Sequence, residues 1–132
     1  MLYVHKTNCF SPQQTSPGAI PDQLKESKDN QLLVKEPAYE QIPAGMLRRM
    51  GKTVRMSVGA ALPLLKDIPQ PDGIIIGTAN GGIEDCIKFL NQIIEYNEGL
   101  LTPGSFVGST SNAPAAQIAL ITKNRHYSST KT

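Results

Sequence analysis

The stretch PDGIIIGTANGGIEDCIKFLNQIIEYNE, residues 71–98, decides how this chain is read. Ile74, Ile75 and Ile76 are β-branched, show no polar alternation and lie between Gly73 and Gly77. Such a run is how a strand reads when both its faces are covered, as in a parallel sheet between helices. Residues 77–82, GTANGG, then make a turn rich in residues that tolerate positive φ. From Ile83 the period becomes helical, with Ile83, Ile87, Leu90 and Ile94 on one stripe and Lys88, Asn91, Gln92 and Glu95 pointing away. Asn80 is expected to cap this helix, Glu84 and Asp85 suit the positive end of its dipole, and Gly99 can end it. The unit is strand, glycine turn, amphipathic helix.

Upstream, Met46, Met50, Val54, Val58, Ala61 and Leu65 repeat at helical intervals, and Pro63 is expected to end or kink that helix in its last turn. Gly51 and Gly59 each cost it about 1 kcal/mol relative to alanine, so packing must hold it together. Its opposite face carries Arg48, Lys52 and Arg55. A solvated face and a docking patch are both open readings of that basic stripe.

Leu2 and Val4 alternate with Tyr3 and His5, the pattern of a strand at the start of a sheet. Residues 10–45 are broken by prolines and filled with polar residues, and read as a loop-rich excursion. Within it a short helix is expected over residues 22–29 and an extended piece over 32–34.

Downstream, residues 101–112 are turn-rich. The segment 113–121 opens with Pro114 in its first turn, and Ser111 or Asn112 is placed to cap it. It is apolar nearly all round, so it must be buried on several sides. Residues 126–132 read as a strand that has just begun, and the chain is expected to be cut there.

With 132 residues, 39% hydrophobic content and a net charge of +2, the chain is one modest core or part of a larger domain. The charge balance is too small to imply nucleic acid, and no apolar run approaches membrane-spanning length. The N-terminus has no signal-peptide pattern, and Cys9 and Cys86 lack metal-ligand spacing, so reduced thiols in a cytoplasmic protein are expected. Residues 77–82 follow a strand and open a helix, as a phosphate cradle does, but Ala79 stands where a second glycine is needed. A tight strand-to-helix turn is the plainer reading. Neither His5 nor His126 sits in a triad, and neighbouring Glu84 and Asp85 point in different directions on their helix.

Three passages in register resemble one family, the β-ketoacyl synthases of the thiolase-like fold. Residues 47–62, LRRMGKTVRMSVGAAL, are similar to its first long helix. Residues 73–84, GIIIGTANGGIE, are similar to its second strand and the turn after it. Residues 102–120, from Thr102-Pro103 to Ala119-Leu120, look like the helix before its nucleophile strand. The nearest likeness is to divergent synthase-like N-terminal domains of bacterial aryl-polyene and resorcinol pigment pathways.

The resemblance implies an α/β chain, residues 1–132 forming an incomplete N-terminal part of an α/β/α layered fold. It implies decarboxylative Claisen condensation of acyl thioesters by the completed protein, through a cysteine acyl-enzyme at a helix N-terminus and without a cofactor. The family's cysteine follows the strand beginning near Tyr127, so no catalytic residue falls within these residues and the chain alone is expected to be inactive. Cys9, Cys86, His5 and His126 match no catalytic position. By the same resemblance Arg48, Arg49 and Lys52 meet an acyl carrier protein, while Ser111 and Asn112 line the acyl pocket at a dimer interface. A homodimer, or a heterodimer with a synthase-like subunit of the chain-length-factor type, would follow. Gly51 departs from the family's acidic residue after Arg-Arg-Met, and His126-Tyr127 from a common Gly-Pro.

Overall fold

The computed structural model describes residues 1–12, 34–68, 70–96, 99 and 101–131. The elements run α1 (Ala44–Leu47), α2 (Lys52–Leu65), β1 (Gly73–Gly77), α3 (Ile83–Glu95), α4 (Pro103–Gly108), α5 (Ala113–Thr122) and β2 (Tyr127–Lys131). The expected helix over residues 22–29 lies outside the described residues, as does most of the extended piece at 32–34. No helix among the described residues is long and apolar enough to cross a membrane.

β1 and β2 form a parallel pair, Gly73 opposite Tyr127 and Gly77 opposite Lys131. A parallel pair needs a long crossover. Here α3, α4 and α5 supply it, and α5 packs on both strands and on α2. The core lies between these elements: Met50, Val54 and Val58 meet Ala113, Ala115, Ile118 and Ile74. The small residues of α5 are what bring it close to α2, and Val58 and Ala115 are fully buried there.

Among the described residues only one face of β1 is covered. Ile74 is buried and Ile76 half-buried, whereas Ile75, on the other face, is 73% exposed. The isoleucine run therefore marks a strand correctly but overstates its cover among the described residues. α3 departs in the same direction. Its stripe of Ile83, Ile87, Leu90 and Ile94 is exposed, Ile94 to 78%, and the helix has no buried residue. It turns Asp85, Phe89 and Gln92 toward the protein, and Phe89 meets Phe106 of α4 edge-to-face with ring centroids 5.7 Å apart. Likewise α5 leaves Leu120 exposed.

The helix expected from Met46 onward is two helices. Gly51 takes an extended conformation (φ −62°, ψ 164°) and separates α1 from α2. Pro63 is accommodated inside α2, which continues to Leu65. The ring of Tyr39 rests on Gly59, where a Cβ would collide with it, so this glycine's helix cost is met by packing. Residues 2–8 form no strand. They run beside α2 instead: Lys6 pairs with Asp67, and Asn8 Nδ2 donates to the Ala60 carbonyl at 3.0 Å.

Two expected caps are absent. Neither Asn80 nor Asn112 or Ser111 bonds a helix amide by its side chain. Thr78 does the work in the first turn, its Oγ1 accepting from the Gly81 amide at 3.1 Å, while Gly81 takes the positive φ (54°) that the turn requires. At the other end of the crossover Lys123 leaves α5 in the left-handed conformation (φ 54°). Asn124 follows, buried and fully used: Nδ2 donates to the Pro71 carbonyl at 2.7 Å and Oδ1 accepts the His126 amide at 2.7 Å. One side chain thus ties the entry of β1 to the entry of β2.

Candidate functional site

The basic residues expected at a docking face do not share one helix face. Arg48 closes α1, Arg49 lies in the turn after it, and Lys52 opens α2; all three are exposed. Arg55 is committed elsewhere. Its Nε and Nη2 donate to the two carboxylate oxygens of Glu36 at 2.7 and 2.8 Å, and the Tyr39 hydroxyl donates to Glu36 Oε2 at 2.7 Å. The Arg55 guanidinium holds the Glu36 carboxyl at about 2, well below the usual carboxylate range. Burial, reinforced by the hydrogen bond to Glu36, pushes the Tyr39 hydroxyl up to about 12. The cationic stripe read from the sequence therefore splits into a structural pair at Arg55 and an open corner formed by Arg48, Arg49 and Lys52.

That corner borders a groove of about 800 Å³ between α2, α3, α4 and α5. Val54, Ala113, Ala116 and Leu120 give it an apolar wall, and Arg49, Asp85, Lys88 and Gln92 give it a polar one. Gln92 Oε1 is buried without a hydrogen-bond partner among the described residues. Lys88 is exposed as the sequence implies, but Gln92, expected on the same solvent face, is partly buried, and the wall they share was missed. Its only signal was the position of Asp85, Lys88 and Gln92 on one side of α3.

Ser111 and Asn112 sit exposed in the turn between α4 and α5, and neither lines the groove. The end of the GTANGG turn is packed against protein: Gly81 and Gly82 are buried, and a Cβ on Gly82 would stand 3.3 Å from the Gly108 carbonyl oxygen, while Gly77, Ala79 and Asn80 are exposed. A phosphate needs donors at such a place, and what faces Gly82 is two carbonyl acceptors, those of Gly108 and Thr110. The turn is structural. Cys9 is exposed, Cys86 half-buried on α3, and His5 and His126 lie exposed at distant points of the chain.

A parallel strand pair crossed by three helices, with small residues between α2 and α5, defines an α/β layered domain. Residues 22–130 match the family described as Beta-ketoacyl synthase, N-terminal domain, and the chain belongs to that family. Its fold is similar to the structure "Ketosynthase (ApeO) in Complex with its Chain Length Factor (ApeC) from Xenorhabdus doucetiae", with a TM-score of 0.71 at 19% identity. The likeness covers 95% of this chain and 52% of that one, so the chain spans about half the length of the solved structure it matches. No curated protein matches it. The thiolase-like fold expected from the sequence is the fold observed.

Proposed function

We propose that this chain provides the N-terminal portion of a synthase that joins acyl thioesters by decarboxylative Claisen condensation, of the aryl-polyene or resorcinol pigment branch. In that reaction a cysteine thiolate takes the acyl group from a carrier thioester, releasing the carrier thiol. A malonyl-type thioester then loses carbon dioxide, and the resulting enolate attacks the acyl-enzyme and frees the cysteine. The observation that carries the reading is the match of residues 22–130 to the synthase N-terminal domain, together with the parallel β1–β2 pair and its helical crossover. This chain's own part is positioning. Arg48, Arg49 and Lys52 form an exposed cationic corner suited to an acidic carrier protein, and Ser111 and Asn112 lie at the exposed turn assigned to a dimer-interface pocket. A cytoplasmic location belongs to the same reading.

The second reading is a non-catalytic subunit paired with a synthase. It is favoured by the uncovered α3 stripe and by the matched structure, a ketosynthase in complex with its chain length factor. The coding sequence after the Thr132 codon and the intact mass of the native protein separate the two. A cysteine at a strand-to-helix turn, with a mass gain on incubation with an acyl thioester, supports the condensing enzyme. A continued synthase fold without that cysteine and without a mass gain supports the partner subunit.

A further inference from the structure

α2 begins badly by its own sequence. Gly51 offers no capping side chain, the first turn contains no acid, and Arg48, Arg49 and Lys52 crowd the positive end of the dipole. The missing carboxylate comes from another helix. Asp85 of α3 presses its carboxylate against Gly51, so that a Cβ at position 51 would overlap Cγ, Oδ1 and Oδ2 of Asp85. The Asp85 side chain is only 18% exposed, and Lys88 Nζ lies 3.7 Å from its Oδ1. Among the described residues α3 has few other holds: its apolar stripe faces outward, and its ring contact is with α4.

We infer that Asp85 is a latch, a carboxylate on α3 seated in the space left by Gly51 at the start of α2, which closes α3 onto the body of the protein. Gly51 and Asp85 act as a pair, since the seat exists only without a side chain at 51. Arg49, Gly51, Asp85 and Lys88 all border the groove, so the latch also fixes the distance between its polar and apolar walls. The inference rests on the contact alone and holds whichever reading of function is right.

Hydrogen exchange of the 132-residue chain tests it, with α5 as the internal reference. Asp85→Ala is expected to speed exchange about fivefold, both across α3 and in the first turn of α2, with α5 unchanged. Gly51→Ala removes no interacting side chain, yet it should give the same pattern, because its methyl evicts the carboxylate. The double variant Asp85→Ala, Gly51→Asp places an acid at α2's own cap position. It should restore the first turn of α2 and leave α3 loose. Unchanged α3 exchange in either single variant overturns the latch, and so does recovery of α3 in the double variant. If Asp85→Ala loosens α5 as well, Gly51→Ala decides alone by the same criterion.

Discussion

Replacing Glu36 by glutamine and following stability with pH isolates the pair that holds residues 34–43 to α2. The Glu36 carboxyl is depressed from 4.5 to about 2 by its paired hydrogen bonds with Arg55. A depressed carboxyl adds stability that is complete above its unfolded value, near pH 4.5, and lost as pH falls through about 2. The full shift would be worth about 3 kcal/mol. Glu36 and Arg55 keep 24% and 30% of their side chains in solvent, however, and screening brings the expected contribution to about 1 kcal/mol. In Glu36→Gln the amide oxygen still accepts from Tyr39 or Arg55, so the change removes the charge and little packing. Urea titrations of both proteins at neutral pH should differ by about 1 kcal/mol, and the gap should close as the buffer approaches pH 2. Asp67, lowered by its pairing with Lys6, titrates equally in both and cancels. A gap of the same size at pH 2.5 and pH 7, or none at pH 7, would refute the charge assignment.

Asn124→Ala leaves the Pro71 carbonyl and the His126 amide without their partner and should cost about 1–3 kcal/mol in the same urea assay. Ile87→Lys with Ile94→Lys puts charge on the exposed α3 stripe and should lower self-association of the isolated chain in sedimentation; a monodisperse wild-type monomer would contradict the premise. Arg48→Glu with Arg49→Glu should weaken binding to an acidic carrier protein by about tenfold at low salt, with the difference shrinking as salt is added. Equal affinity at low salt removes the docking assignment.

The elements that were legible in the sequence are those whose signal is local. The isoleucines of β1, the glycines after them and the helical period from Ile83 each report their own backbone, and each element stands where it was expected. What was not legible is where the faces go. The stripe of α3 is apolar, yet its exposure depends on what packs beside it, and periodicity says nothing of that. The basic stripe failed for a related reason: its spacing assumed an unbroken helix, and Gly51 in an extended conformation breaks it. Arg55 then belongs to Glu36, a partner in the proline-broken excursion that no spacing rule connects to α2. Asn124 carried no pattern at all. Its two side-chain hydrogen bonds exist together only once β1 and β2 lie side by side.

The parallel register has a consequence for synthesis on the ribosome. Among the described residues β1 pairs with β2 alone, from which it is separated by roughly fifty residues of chain. At about 5–20 residues per second, the isoleucines of β1 emerge several seconds before the strand they pair with. During that interval the apolar side of α2 and Ile74 lack the cover of Ala113, Ala115 and Ile118, which lie further along the chain. The nascent chain therefore exposes Ile74 until the crossover and Tyr127–Lys131 arrive, whereas Ile75 stays exposed in the finished fold. Slower translation between Gly77 and Tyr127 would lengthen the exposure without altering the finished structure.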